Sequence, residues 1–462
     1  MVKVQTPFCS GPMTRRDILQ AGYLSLLTSG FGPLLLPTVS QAACNPSGFG
    51  QAKSCIFLFM WGGPSQLETW DLKPNAPAEI RGEFKPIATT VPGIHISEHF
   101  PRLARQAHLY TIIRSMTHQD PAHLSSVHHL MTGRHAPKFP SDADPPSRKD
   151  WPHLGSYLLK MRPNPNPLPG FITLPWTVMH PAAPGGQAPG QNGGWLGRGF
   201  DPFVIQGDPS QAGFQVSGLR LPAHITPDEM SQRRSLLSAM ESQSRLLREL
   251  TDGLAMDAMQ KQALDALGSK QVRDAFNLQQ EAPKNRERYG MNIHGQSVLL
   301  ARRLVERGVP FVAVNWHQDH HNFWDTHGNN FNRLKNDLMP PADMAFSALL
   351  DDLHASGRLK ETLIVWVGEF GRNPKITANS AGREHWPQCY SAVLAGGGMR
   401  GGYVYGRSDS MAAHPAENPV SPADLTATVY YAMGIDPTQS VRDREDRPIR
   451  LTEGDPLTSL FS

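Results

Sequence analysis

Cysteine is scarce in this chain: 4 among 462 residues, with Cys9 in the N-terminal stretch and Cys44, Cys55 and Cys389 left over without a CxxC spacing. An odd remainder with no paired spacing excludes both a disulfide framework and a zinc knuckle. An excess of charge is missing too, with 44 Lys and Arg against 41 Asp and Glu. Without a basic face there is no electrostatic footprint for nucleic acid or anionic lipid. Internal repeats are also absent. Glycine and proline, by contrast, are plentiful at 41 each, while aromatic residues recur along the whole length. That combination predicts an irregular, loop-rich surface on a real core rather than a disordered tail.

The N-terminus reads as an address. Thr14-Arg15-Arg16-Asp17-Ile18-Leu19 precedes a mildly apolar stretch to about Leu36, and Ser40-Gln41-Ala42-Ala43 supplies the small residues of a cleavage site. This is the pattern of a twin-arginine export signal over residues 1–42, which implies a mature protein in the periplasm or outside the cell. Gly22, Gly30, Gly32 and Pro33 interrupt the stretch, so it makes a poor membrane anchor, and no stable span is expected once it is removed. Gln41 stands where a lipobox needs an aliphatic residue, which argues against lipidation of Cys44.

The remainder, 43–462, reads as one α/β domain. Continuous apolar runs at Cys55–Met60, His108–Ile113, Phe311–Val314, Leu363–Val367 and Tyr390–Leu394 have no polar alternation, which predicts strands buried on both faces. Helical spacing is predicted at Phe100–Gln106, Thr226–Leu267, Gln296–Glu306 and Pro341–Ser356, and Ser421-Pro422-Ala423-Asp424 opens a last helix. Strands alternating with helices imply a mainly parallel sheet covered on both sides. From about 134 to 225 the chain is thick with Pro, Gly and Asn, and a long irregular insertion with a few short strands such as Phe171-Ile172-Thr173 is expected there.

Three acidic and histidine clusters fall at strand ends, where open α/β sheets build their sites. After the Phe311 strand come Asn315-Trp316-His317-Gln318-Asp319-His320-His321 and then Asp325 and His327. The last two are the leading metal ligands of this stretch. Glu369 follows the Leu363–Val367 strand directly, and a carboxylate so placed needs a cation or a partner such as Arg372. His385 lies in the loop Gly382-Arg383-Glu384-His385-Trp386, beside Arg383, which could grip an anion in bidentate fashion. A further group comprises His118, His123, His128 and His129. His118 and His123 would stand about 140° apart on a helix, so they would not share one face, and His128 and His129 read as surface or core positions.

In order and spacing the chain resembles the alkaline phosphatase and sulfatase superfamily, on Ile56–Gly63, Leu130-Met131-Thr132-Gly133-Arg134, Asp325 with His327 or Asn329, Glu369 and His385. More closely, Gly62-Gly63-Pro64-Ser65-Gln66, Trp324-Asp325-Thr326-His327-Gly328, Glu369-Phe370-Gly371-Arg372-Asn373-Pro374 and the Gly-Arg-Glu-His-Trp loop are similar to an exported family catalogued as domain of unknown function fifteen hundred and one. The resemblance implies a three-layer α/β/α alkaline phosphatase-like fold with one or two divalent metals. It also implies hydrolysis of phosphate or sulfate esters, small-molecule or carbohydrate, in the cell envelope. Asp325, His327, Glu369 and His385 would hold the ion, His123 would complete the shell or act as base, and Arg372 or Arg383 would bind the anion. Zn, Mn and Fe suit such ligands, and Ca less well. The superfamily's Ser, Thr or Cys nucleophile falls nine residues before the motif threonine, which here is His123, and Phe370 replaces a usual second ligand. Those departures leave a single-metal hydrolase, or a metal-containing binding protein without turnover, as the two expected functions.

Overall fold

The computed structural model describes residues 47–462 apart from Ala182, Pro184, 317–322, Arg444 and the stretch 217–268, of which only Glu229, Gln232, Ser235 and Leu236 are included. The stretch read as an export signal, most of the helix expected at Thr226–Leu267 and the histidines at 317, 320 and 321 lie outside the described residues. Pro46–Ser462 make one compact unit. No helix among the described residues is long and apolar enough to cross a membrane.

An eight-stranded sheet runs through this unit. Its strands in chain order are β1 (Ser54–Phe59), β2 (Tyr110–Met116), β3 (Phe171–Leu174), β4 (Phe203–Val204), β5 (Phe311–Asn315), β6 (Thr362–Val367), β7 (Tyr390–Ala395) and β8 (Tyr403–Tyr405). In space they lie in the order β8, β2, β7, β6, β1, β5, β3, β4. β1 pairs in parallel with both β5 and β6, while β7 runs antiparallel to its neighbours β6 and β2. Every residue of β1, β5, β6 and β7 is buried, as uninterrupted apolar runs require when helices cover both faces. The covering helices are α1 (His123–Thr132), α2 (Leu154–Met161), α3 (Ile293–Glu306), α4 (Met339–Ala355) and α5 (Pro422–Ala432). They pack as two sets, α3 with α4 and α1 with α5, giving three layers. At the start of α5 the Ser421 hydroxyl accepts from the Asp424 amide at 3.1 Å and the Asp424 carboxylate accepts from the Ser421 amide at 2.9 Å, so the cap read from the sequence is formed.

The stretch at 134–225 holds the short strand expected at Phe171-Ile172-Thr173, as β3, and supplies α2 and β4 as well; β3 and β4 extend the central sheet beyond β5. Of the two positions expected for His128 and His129, surface or core, the structure gives the core, because all of α1 is buried. Burial pulls their pKa values down, to about 4 and about 2, so both imidazoles are neutral.

The strand directions decide where function can assemble. Phe59 of β1 stands opposite Asn315 of β5 and Val367 of β6, so the segments that follow all three strands emerge at one sheet edge. β2 shares that direction because two antiparallel steps, through β7, separate it from β6. β7 runs the other way, so it is the segment before it, containing His385, that reaches the same edge.

Candidate metal centre

Chain closeness at this edge depends on glycine. Gly62, just after β1, has φ +106°, and a Cβ there would lie 2.3 Å from the amide nitrogen of Asp325. Only a residue without a side chain lets the β1 loop touch the β5 loop so closely. The Gly62 amide then points at Glu369, donating to its two carboxylate oxygens at 3.0 and 3.2 Å.

Around Asp325 three imidazoles converge. His123 Nε2 is 3.4 Å from Asp325 Oδ2, while His327 Nε2 and His385 Nε2 are 3.0 and 3.3 Å from Oδ1. The two latter nitrogens are 2.8 Å from each other, and one donor atom from each of these four residues lies within 4.8 Å of all the others. Ligands about 2.0 Å from a tetrahedral zinc stand about 3.3 Å apart, so one ion fits the spacing.

The far side of each ring explains its orientation. His123 Nδ1 meets Glu369 Oε1 at 2.7 Å, His327 Nδ1 meets Glu384 Oε2 at 2.5 Å, and His385 Nδ1 meets the Pro121 carbonyl at 2.7 Å. Carboxylates and carbonyls only accept, so each Nδ1 carries a hydrogen, and a ring anchored in this way, when neutral, has its Nε2 lone pair available to an ion at the centre. The 2.8 Å between the Nε2 atoms of His327 and His385 requires a proton or an ion between them, since two bare lone pairs so close repel. His123 Nε2, buried and without a hydrogen bond among the described residues, has the same need.

The electrostatics agree. Burial opposes charge on His123, but the carboxylates of Asp325 and Glu369 outweigh it and push its pKa up to about 9, so without an ion the ring holds a proton on Nε2 as well, at the place an ion would take. Burial would also raise the pKa of Asp325, yet Arg372 and the three histidines hold it far below the ordinary carboxylate range. His385 is held down at about 4, first by burial, and stays a neutral ligand. Rings of Trp61 and Phe370, 4.9 and 4.8 Å from that of His123, wall the cluster with apolar surface. Low polarity there strengthens every charge interaction.

Of the residues read from the sequence, Asp325, His327, His385 and His123 come together. Glu369 does not join the donor atoms; it sits fully buried behind His123 as its anchor. Both arginines bond within the protein. Arg372 spends its N–H groups on the Gly62, Gly63 and Arg383 carbonyls and on Asp325. Arg383 spends its own on Glu68 and on the carbonyls of Ile80, Asn373 and Pro374. Both are fully buried, and these bonds tie the loops of the edge together.

Sequence reasoning gave no role to Glu384, which anchors His327, to His118, whose ring meets the Glu369 carbonyl at 2.7 Å, or to His180, which reaches the cluster from the 134–225 stretch. The adjacency of Glu384 to His385 was the one available signal. His118 precedes α1 rather than lying on it, so the helical-phase argument does not apply. Glu369→Gln leaves the shape of the anchor but removes its charge. A loss of metal affinity of about 10- to 100-fold is expected, measured by competition with a chromogenic chelator, with an unchanged near-ultraviolet circular dichroism spectrum.

No curated protein matches the chain in sequence. Similar solved structures include Ps i-CgsB in complex with k-i-k-neocarrahexaose (15% identity, TM-score 0.42, covering 88% of this chain and 75% of that one). The PsFucS1 sulfatase from Pseudoalteromonas sp. is 13% identical with TM-score 0.39, covering 88% and 72% respectively. A protein of the alkaline phosphatase superfamily from Vibrio parahaemolyticus is 11% identical with TM-score 0.36, covering 97% and 79%. The family model described as "Protein of unknown function (DUF1501)" matches residues 52–461, and the chain belongs to that family.

Proposed function

We propose that this protein is a single-metal hydrolase of phosphate or sulfate esters, working in the cell envelope. The observation that carries the reading is the convergence of three anchored Nε2 lone pairs and one carboxylate on a point that favours positive charge. His123, Asp325, His327 and His385 would hold the ion. Three imidazoles and one carboxylate suit zinc, manganese or iron better than calcium, which prefers oxygen donors throughout. A divalent ion supplies Lewis acidity and lowers the pKa of water to about 7.

The chain's own residues do the rest. Glu369 and Glu384 keep the hydrogens of His123 and His327 on Nδ1, and Arg372 holds Asp325 ionised and aimed. Trp61 and Phe370 keep bulk water away from one side. His123 occupies the position where relatives in the resembling superfamily carry a nucleophile. The nearby hydroxyls are committed elsewhere: Ser126 donates to the Asp120 carbonyl and Ser125 accepts from the Ser141 amide. Direct hydrolysis by water is therefore the reaction these residues support. Small-molecule or carbohydrate esters are the proposed substrates, and the cell-envelope location rests on the Arg15-Arg16 signal.

A second reading, a binding protein that keeps the ion without turnover, is favoured by one observation: both arginines expected to grip the anion are locked in the protein. Elemental analysis of purified protein together with a panel of aryl phosphate, phosphodiester and aryl sulfate substrates separates the two. About one equivalent of transition metal per chain, with chelator-sensitive turnover of one ester class, is expected. Metal without turnover across the panel makes it a binder, and no metal under any loading condition removes both readings.

A further inference from the structure

A cavity of about 490 Å³ shares no residue with the metal cluster. Trp151 and Trp195 line it together with Lys149, Asp443, Glu445 and Arg447. Its size falls within the about 300–1,000 Å³ usual for small-molecule sites. The two indoles, both half-buried, have ring centroids 6.2 Å apart and planes at 73°, so they meet as a corner.

That corner is fixed from several directions. The Trp195 amide donates to the Asp150 carbonyl at 3.3 Å and the His153 amide to the Asn192 carbonyl at 2.9 Å, which lays the chain around Trp195 against the chain around Trp151. At Gly194, with φ +49°, a Cβ would come within 2.2 Å of the Asp150 carbonyl oxygen, so only glycine allows this approach. Arg148 closes the flank with two bonds to the Asp201 carboxylate, at 2.6 and 2.7 Å. Trp195 also packs on the main core and edge-on to Tyr157 at 5.8 Å. Arg134 joins the indoles to the charged residues. Its guanidinium lies over the Trp151 ring at 4.4 Å, pairs with Glu453 at 2.6 Å and donates to the Arg450 carbonyl. Arg450 belongs to an antiparallel ribbon of Ser440–Arg442 with Pro448–Arg450, and the turn of that ribbon carries Asp443, Glu445 and Arg447. There Arg447 bonds to Asp443 at 2.7 Å and to Glu445 at 2.9 Å.

Charge in the lining is balanced, Lys149 and Arg447 against Asp443 and Glu445, so no ion of either sign is selected. A wholly apolar ligand would strip water from those four groups and return no hydrogen bond, which is costly. Indoles beside donors and acceptors match a ring with an apolar face and a rim of hydroxyls, since each hydroxyl both donates and accepts. An uncharged pyranose sugar has that form. We propose that this cavity binds a neutral glycan, the C–H face of a sugar ring packing on the Trp151 and Trp195 indoles and its hydroxyls bonding to the charged side chains. The inference goes beyond the metal-centred reading and does not rest on it.

The test is calorimetric titration of the full protein with cello-, malto-, laminari-, xylo- and chitohexaose, and with a chondroitin sulfate hexasaccharide as the anionic comparison. Wild type is compared with Trp151→Ala, Trp151→Tyr, Arg447→Ala and Asp325→Asn. Expected are binding of at least one neutral hexasaccharide, an affinity lowered about tenfold or more in Trp151→Ala, and recovery of most of that loss in Trp151→Tyr, which keeps an aromatic face. Arg447→Ala, at an exposed side chain, is expected to lose about three- to tenfold, and it decides the question if Trp151→Ala fails to fold. Asp325→Asn should bind the sugar as wild type does, and metal content should be equal in wild type and the cavity variants. No binding of any neutral hexasaccharide overturns the proposal, as does wild-type affinity in Trp151→Ala or in Arg447→Ala. Tighter binding of chondroitin sulfate than of every neutral sugar overturns it too. Loss of sugar binding in Asp325→Asn overturns it by moving the sugar to the metal cluster. A wild type that takes up no metal yet binds sugar through Trp151 sinks the hydrolase reading and upholds this one.

Discussion

Asp325→Ala is expected to abolish metal binding and to destabilise the protein by about 3 kcal/mol or more, whereas Asp325→Asn is expected to abolish metal binding with a much smaller loss of stability. The two effects have separate causes. Asp325 is the only carboxylate among the four donor residues, so either change removes the charged ligand. It is also the ion-pair partner of Arg372, at 2.5 Å, and the Arg372 side chain is fully buried. Alanine leaves that guanidinium charged, desolvated and unpaired, which is costly. Asparagine still offers an amide oxygen to it. Urea unfolding of the metal-free proteins isolates the stability difference, and elemental analysis gives the metal content. Chelator should lower the melting temperature of the wild type, because an ion at a hundred times its dissociation constant stabilises by about 2.7 kcal/mol, and should leave Asp325→Asn unmoved. An Asp325→Asn protein that keeps its ion at wild-type affinity would show the donor group to be wrong.

Glu68→Gln is the second large effect, and it lies outside the cluster. Glu68 and Arg383 form an ion pair at 2.6 Å in which both side chains have no solvent exposure. Removing the charge of one partner strands the other, at a cost of about 3–5 kcal/mol in unfolding free energy. Replacing both with apolar residues, as in Glu68→Leu with Arg383→Met, should recover part of the loss despite the carbonyls of Ile80, Asn373 and Pro374 that Arg383 also serves. Metal content at low temperature should stay at the wild-type value in Glu68→Gln, since the Glu68 carboxylate bonds to Arg383 and not to any of the four donor residues. A loss under about 1 kcal/mol in urea would mean that water or a shift of the loop rescues the stranded guanidinium.

Much of this architecture was legible without coordinates. The apolar runs became β1, β5, β6 and β7, each within two residues of the expected bounds, because a strand buried on both faces is apolar over most of its length and so announces itself locally. The second expected run, from His108, is realised as β2 starting at Tyr110, after a short turn of helix at Ala107–Leu109. Helices α3, α4 and α5 were equally plain from their spacing and caps. The antiparallel course of β7 and the edge strand β8 were not, because pairing partners lie far apart in the chain and leave no local mark. The same holds for β4 and for the place of β3 in the central sheet: the strand at Phe171-Ile172-Thr173 was legible, but its pairing with β5 was not.

At the site, residue type and strand-end position brought out Asp325, His327 and His385, and the family resemblance brought out His123. The division of labour was out of reach. Whether a buried carboxylate binds an ion or orients a ligand depends on distances of an ångström or two, and Glu369 meets His123 across 246 positions of sequence. Arg372 and Arg383 have the chemistry of anion clamps and the surroundings of structural braces, and chemistry alone is what a sequence displays.

By itself, then, the order of residues determined the buried strands, the helices that cover them and the set of groups able to bind a cation, since hydrophobic period and side-chain chemistry are local properties. Only the folded chain decided which groups share one point, which stand behind them and which are spent on the protein's own carbonyls. Those are matters of distance in a low-polarity interior, where a carboxylate must find a partner and the partner it finds fixes its role.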